Sequence, residues 1–334
     1  MSATTTALSQ LAQTVLVLGA RGRFGRAAVT AFSQAGWHVR AFVRPGRQPD
    51  ATRGVKMVEG DAFDPDAVAA AARGANVIVH ALNPPYPRWS RDMPRLTHSV
   101  LAAAHASGAT VMIPGNVYNY GAGMPETLRE ETLHRPTTRK GALREEMEQA
   151  FRRAADDGIN TVILRGGDFI EAEKTGNWFD TYVTGKLGAG VVVYPGPLDQ
   201  VHAWAYLPDM ARAMVGLAEP GRRKAGYECF NFAGYNISGR ELIDALETWA
   251  GAPLKRRGIP WLAMRARAPF SPLIREVIEM RYLWTTPHAI DGTRLHDALP
   301  EFSPTALAEA LDRILPALTR PSTRREPIGT ASAA

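Results

Sequence analysis

Two groups of residues carry chemistry by type and spacing. The first is Gly19-Ala20-Arg21-Gly22-Arg23-Phe24-Gly25, which sets three glycines three residues apart. It follows the apolar run Thr14–Leu18 and precedes a stretch, Gly22 to Ala35, that can form a helix with Ala27, Ala28, Ala31 and Phe32 on its packed face. Glycine lets a backbone turn sharply and approach a bound group closely, and the free amides of a helix N-terminus favour an anion. A strand, a glycine loop and a helix in this order can cradle a dinucleotide's pyrophosphate. The spacing is G-x-x-G-x-x-G rather than the commoner G-x-G-x-x-G, and the competing reading is a tight strand–helix turn.

The charge around this loop is more specific. Arg21, Arg23, Arg26, Arg40, Arg44 and Arg47 all precede the first acidic residue, Asp50. A site for NAD normally places Asp or Glu at the end of the second strand, on the ribose hydroxyls. Here that position reads Val43-Arg44-Pro45. A guanidinium suits the extra 2′-phosphate, which it grips with paired, charge-assisted hydrogen bonds. The expected cofactor is NADP(H), held by Gly19, Arg21, Gly22, Arg23, Phe24, Gly25 and Arg44, with Asp61 placed to meet the adenine or, alternatively, to cap the next helix.

The second group is Lys140-x-x-x-Arg144-x-x-x-Glu148 on an expected helix from about Thr138 to Asp157. Residues four apart share a helix face, so Lys140 and Arg144 repel slightly and Arg144 and Glu148 attract. A lysine partly buried beside an arginine would have a lowered pKa and could act as a general acid or base. Gly141 inside a helix makes sense where a large group packs close, and a cofactor ribose would be such a group. The plainer reading is a solvated charged helix.

The elements that must position these groups alternate. Short apolar strands are expected at Thr14–Leu18, His38–Val43, Val55–Glu59, Asn76–Ala81, Thr110–Ile113 and Asn160–Leu164. Helices are expected at Pro65–Ala72 and Met93–Ser107. This pattern predicts an α/β fold: a Rossmann-type doubly wound parallel sheet with a smaller C-terminal substrate domain. Ligands in such sheets bind beyond the carboxyl ends of the strands. The segments there hold Tyr86 and Trp89, then Asn116 and Tyr118, then Phe169, with Trp178 further on. Tyr86, Trp89, Tyr118 and Trp178 are candidates to wall a substrate pocket, Phe169 to meet the cofactor, and Asn116 and Tyr118 to orient a carbonyl. In the second half, Pro208–Leu217 and Ser238–Ala250 are expected helices, the latter with a Ser238/Glu241 capping box, and Tyr227–Phe232 an expected strand. The expected division is 14–170 plus 205–235 for the cofactor domain and 171–204 plus 236–318 for the substrate domain, with polar tails at 1–13 and 319–334.

Composition bounds the rest. The chain has 334 residues, 39 Lys and Arg against 33 Asp and Glu, and a formal charge of +6, spread too thinly to demand nucleic acid. Its one cysteine, Cys229, excludes an intrachain disulfide and a cysteine-cluster zinc site, and is expected as a small buried hydrophobe. His80, His202 and His288 lack metal-like spacing, so no metal is expected. No apolar run reaches the ~18 residues of a membrane helix and no leader pattern opens the chain. The expectation is a cytoplasmic protein with a small-molecule substrate, no nucleic-acid or membrane partner, and a homodimeric state.

The glycine loop, Glu59-Gly60-Asp61, His80-Ala81-Leu82-Asn83, Val117-Tyr118, Trp204–Ala211 and Asp291–Leu295 followed by Leu299-Pro300 together resemble the extended short-chain dehydrogenase/reductase family, up to about residue 315. The resemblance implies that Ala81, Leu82 and Asn83 line the cofactor. It also implies a Ser/Thr, Tyr and Lys set, but those positions fall on Pro114, Lys140 and Arg144, so the parent family's phenol relay is missing. The Lys-x3-Arg-x3-Glu frame resembles the isoflavone reductase-like and NmrA-like atypical members, where the lysine serves catalysis in the reductase branch. Three readings follow: an NADP(H)-dependent reductase of a small, aromatic or unsaturated carbonyl-type compound using Lys140 or Tyr118; a non-catalytic NADP(H)-sensing regulator; and a sugar-nucleotide epimerase or dehydratase.

Overall fold

The computed structural model describes residues 13–46 and 54–319. Arg47 and, apart from Gln13 and Thr319, both expected tails lie outside them.

Strands β1 (Thr14–Leu18), β2 (His38–Val43), β3 (Val55–Glu59), β4 (Val77–His80), β5 (Thr110–Gly115), β7 (Thr161–Arg165) and β11 (Tyr227–Asn231) form one seven-stranded sheet in the order β11-β7-β5-β4-β1-β2-β3. The numbering counts the two-residue β6 (Thr127–Leu128), β8 (Asp168–Ile170), β9 (Val191–Tyr194) and β10 (Val201–Tyr206) in chain order. Every pairing in the large sheet is parallel. Strands such as Val15–Leu18 and Val77–Val79 are apolar at consecutive positions because both faces of the sheet are covered.

Helices α1 (Arg23–Gln34) and α5 (Leu207–Ala218) cover one face, through residues such as Phe24, Ala28, Met210 and Met214. Helices α2 (Pro65–Ala72), α3 (Trp89–Ser107) and α4 (Arg139–Ala154) cover the other, with Val68, Val100 and Phe151 in its core. The sequence reading gives a helical stretch over Met93–Ser107. The helix instead begins at Trp89 and carries Pro94 inside it, after a tight turn at Tyr86–Arg88.

The second half builds around this sheet. β10 pairs with β8 in parallel and with β12 (Tyr235–Ser238) antiparallel, so the chain from β10 enters α5 from a separate three-stranded sheet. Helix α6 (Gly239–Ala250) opens with the expected capping box: Glu241 N–H donates to Ser238 Oγ at 3.2 Å and Ser238 N–H to Glu241 Oε2 at 2.7 Å. Then come β13 (Lys255–Gly258), which pairs with β9, α7 (Trp261–Arg267), α8 (Pro272–Glu279), β14 (Ala289–Ile290), which pairs with β6, α9 (Thr293–Ala298) and α10 (Leu307–Thr319).

Two buried histidines make stability depend on pH. Burial, then the nearby Arg144 charge, pushes His80 down to about 3; burial, then His202, pushes His288 down to about 4. Between those values and the ordinary 6.5, the unfolded chain takes up protons that the folded chain refuses, so stability falls as the pH drops through this window. Replacing His80 with Gln should remove up to about 1.4 kcal/mol per pH unit of that slope. Urea unfolding between neutral pH and the acid limit, wild type against variant, measures the difference; parallel slopes would refute it.

Candidate functional site

The glycine loop is built by close approach. Gly19 has φ +76°, and a Cβ there would lie 2.7 Å from the Ala81 carbonyl oxygen; one on Gly25 would lie 2.1 Å from the Gly19 oxygen. The loop is thereby pressed onto the end of β4, and α1 begins with exposed Gly22 as its cap, no side-chain cap bond and no acid in its first turn. Free amides, a missing side chain and no acid in the helix's own first turn fit a pyrophosphate.

The arginines around it divide into two sets. Arg23 donates to Thr175 Oγ1 at 2.7 Å and to the Thr175 carbonyl at 2.8 Å, and Arg26 pairs with Glu173 at 2.6 Å. Both are therefore tied to the 171–175 segment. Arg23, expected on the cofactor, spends its donors on that segment because Glu171, Glu173 and Thr175 lie over the start of α1. Arg21 and Arg44 are exposed, and their side chains have no partner among the described residues. Arg44 ends β2, where the sequence puts it. Asp61 is exposed and accepts from the Phe63 amide at 3.0 Å, while the cap of α2 is Asp64, so Asp61 does not fill the capping role. Ala81 and Leu82 are half-buried and Asn83 exposed, in the segment after β4; Phe169 is half-buried on β8.

The charged frame on α4 differs from the expectation. Lys140 is fully buried, in the first turn of the helix. Its Nζ contacts Glu276 Oε2, Glu279 Oε2 at 2.5 Å and the Glu276 carbonyl at 3.2 Å. Three protein oxygens thus surround the ammonium, and a cofactor or substrate would have to compete with them for its donors. Arg139 adds a second cation to Glu276 at 2.5 Å. Burial pushes the Glu276 carboxyl up, but the hydrogen bond and charge of Lys140 outweigh it, with Arg139, and hold it below the usual range. Arg144 does not sit against Lys140; its guanidinium lies 5.1 Å from the Trp89 ring centre. Glu148 is buried and engaged by Arg165 through two bonds, at 2.7 and 3.1 Å. Gly141 is required by the chain itself, since a Cβ there would lie 2.5 Å from the Tyr118 carbonyl oxygen.

What converges beyond the strand ends is a set of phenols. The Tyr86 and Tyr118 hydroxyls are 3.2 Å apart. Lys140 Nζ lies 4.9 Å from the Tyr86 ring centre, and Trp89 packs edge-on to Tyr86 at 5.1 Å. Burial raises both phenol pKa values, and the Asp168 charge adds to the effect. Asn116 Oδ1 accepts the Tyr118 amide at 3.0 Å and the Asn116 carbonyl accepts from Arg165 at 2.5 Å, so this side chain shapes the turn that carries Tyr118. Trp178 packs with Tyr182, Trp261 and Trp284, in the aromatic wall of the second half.

Two parts of this site escape sequence reasoning. His202 Nε2 and Asp168 Oδ2 are 2.9 Å apart, and the His202 ring stacks on Trp284 at 4.1 Å. The partners of Lys140, Glu276 and Glu279, come from a helix far along the chain. Only the pairing of β8 with β10 could have signalled the first, and no local pattern signals the second. Cys229 is half-buried rather than buried; it lines a cleft of about 390 Å³ with Glu131, His134, Arg152 and Tyr227, and burial raises its thiol pKa. At this cleft His134, Glu145 and Glu148 bring potential ligand atoms within 4.8 Å of one another, but Arg165 already neutralises Glu148.

The sequence profile of a family described as NAD(P)H-binding matches residues 19–190, more than half of the chain. The chain belongs to the NAD(P)H-binding family. No curated protein matches it in sequence. Among solved structures, a protein from Burkholderia cenocepacia J2315, provisionally described as an epimerase, aligns with a TM-score of 0.73 at 21% identity, over 93% of this chain and 99% of that one. The UDP-glucuronic acid 4-epimerase of Bacillus cereus, solved with UDP-glucuronic acid and NAD, gives 0.72 at 17% identity over 92% and 99%. The UDP-glucose 4-epimerase of Bifidobacterium longum, solved with NAD+ and UDP, gives 0.71 at 18% over 92% and 97%. At these identities the likeness establishes the Rossmann-type fold that this NAD(P)H-binding protein shares with them.

In this NAD(P)H-binding protein, Lys140 stabilises by pairing. Lys140→Met should leave Glu279 without a cation and Glu276 with Arg139 alone, and lower the unfolding free energy by about 3–5 kcal/mol. Adding Glu276→Gln and Glu279→Gln should return part of the loss. Chemical denaturation checks both; unchanged stability in the single variant would contradict the pairing.

Proposed function

We propose that this protein is an NADP(H)-dependent reductase of a small carbonyl-type compound in which Tyr118, not Lys140, supplies the proton. The observation that carries this reading is the hydroxyl pair of Tyr86 and Tyr118, 3.2 Å apart at the end of the sheet where a nicotinamide lies in such folds. The resemblance to atypical extended short-chain dehydrogenase/reductases supports it.

Bound NADPH would supply the hydride. The glycine loop and the start of α1 would hold the pyrophosphate, and the exposed, unpaired Arg44, with Arg21, would grip the 2′-phosphate. Tyr118 keeps its proton at neutral pH because burial raises its pKa. An alkoxide formed from a carbonyl is a stronger base than a phenolate, so transfer from Tyr118 Oη runs downhill. The phenolate left behind would accept a hydrogen bond from Tyr86, whose ring faces the Lys140 ammonium. Asn116 contributes by fixing the Tyr118 turn.

A second reading, cofactor binding without turnover, is favoured by one observation: the ammonium at the family's tyrosine position is buried and surrounded by protein oxygens. Calorimetric titration separates these. NADPH should bind at least tenfold, about 1.4 kcal/mol, tighter than NADH, and Arg44→Ala should erase the difference. Equal or tighter binding of NADH would overturn the assignment and favour epimerase-like use of NAD. In a screen of aromatic and unsaturated carbonyl compounds, Tyr118→Phe should lower kcat by about 10²–10⁴-fold while the NADPH Kd stays unchanged. Retained turnover would remove Tyr118 from the mechanism, and binding without any turnover would leave the sensing reading.

A further inference from the structure

We propose that residues 255–275, from β13 through α7 to the start of α8, dock this protein on an anionic membrane surface.

The charge is concentrated there. These 21 residues hold Lys255, Arg256, Arg257, Arg265, Arg267 and Arg275 and no acid, while the rest of the chain balances bases against acids. A net charge of +6 thus falls within 21 residues, whereas the acid-free stretch of equal charge at 1–49 spreads it over 49. Arg256 is neutralised by Asp244 and Glu247, and Arg275 donates to the carbonyls of Ala268 and Pro269. Lys255, Arg257, Arg265 and Arg267 are exposed, and their side chains have no partner among the described residues.

The same stretch exposes apolar bulk. Leu262 is 82% exposed, Phe270 89% and Leu273 62%; outside the segment only Leu133 among the described residues is a comparably exposed large hydrophobic. Single exposed hydrophobics are ordinary, but three within twelve residues, interleaved with free cations, are not. The segment is held to the body from its other side. Trp261 Nε1 donates to the Pro195 carbonyl at 2.9 Å, and Glu276 and Glu279, just beyond, grip Lys140.

Charge and apolarity together select the occupant. A nucleic acid would satisfy the arginines and leave Leu262, Phe270 and Leu273 in water. A second copy of this face would oppose like charges across a two-fold axis. An anionic bilayer meets both demands, with acyl boundary for the apolar side chains and headgroups for the guanidinia. The expectation of no membrane partner rested on the lack of a spanning segment. No helix among the described residues is long and apolar enough to cross a membrane. A surface contact needs no such helix.

The test uses the full chain and vesicles of phosphatidylcholine with or without phosphatidylglycerol, separated by flotation, and depends on no assigned chemistry. Bound protein should rise about tenfold or more with the anionic lipid at low salt and fall at high salt. Arg265→Glu with Arg267→Glu should abolish binding, and Phe270→Ser with Leu273→Ser should cut it by about tenfold or more. Because these side chains are exposed, thermal melts and NADPH titrations of the variants should match wild type, which confirms folded protein. Three results would overturn the proposal: no preference for anionic vesicles, variants that bind like wild type, or a dimer in ultracentrifugation that Phe270→Ser with Leu273→Ser dissociates without any vesicle binding.

Discussion

A buried ammonium must be surrounded by oxygens, and in this protein that requirement joins the two halves of the fold. Lys140 lies in the first turn of α4, on the cofactor-binding sheet, and its partners Glu276 and Glu279 lie on α8. Leaving Lys140 unpaired would strand its charge in a place water cannot reach, where the penalty exceeds that of most single contacts. The pair therefore fixes where α8 sits. With it comes the aromatic wall of Trp178, Trp261 and Trp284, and the turn bearing Tyr86 is pinned under the same ammonium. A lysine at this position thus does structural work that a neutral phenol would not need.

The same logic sorts the arginines at the other end of the sheet. Arg23 and Arg26 reach across to Thr175 and Glu173 and bind a segment of the second half onto the start of α1. They contribute to holding the cleft in shape. Arg44 and Arg21 lack such partners, so theirs are the guanidinia that an incoming phosphate would meet without first breaking a native contact. Counting arginines near the glycine loop therefore overstates the cofactor's share of them.

Much of the fold was legible in the sequence because its signals are local. Runs such as Val15–Leu18 and Val77–Val79 are apolar at every position, as doubly covered strands must be, and Ser238 and Glu241 mark a helix start by their own side chains. Gly19 and Gly25 announced a close approach. Gly141 announced one too, but a lone glycine does not say which atoms come near, and here they belong to Tyr118 rather than to a cofactor. The Lys140, Arg144 and Glu148 frame was legible as a spacing and illegible as chemistry. Each member takes its partner from elsewhere: Glu276 and Glu279, Trp89, and Arg165. The Asp168–His202 contact was hidden for a related reason, since it exists only because β8 and β10 are neighbours in a second, smaller sheet.

Most of the buried charges in this molecule are matched by an opposite charge. Arg165 is matched by Glu148, Lys140 by two carboxylates, and His202 faces Asp168. Stability alone accounts for such pairs, because a buried ion without a partner costs several kcal/mol. It does not account for exposed cations that have no partner among the described residues. Stability would be served as well by replacing them, as most exposed charges are worth little to the folded state. Free cations thus say more about external anions than buried ion pairs say about catalysis. Two sets of them stand beside a second feature: Arg21 and Arg44 beside the glycine loop, and the free cations of the acid-free stretch around α7. The first suits a compact phosphate on a small molecule. The second, with apolar side chains standing among its arginines, suits an extended anionic surface.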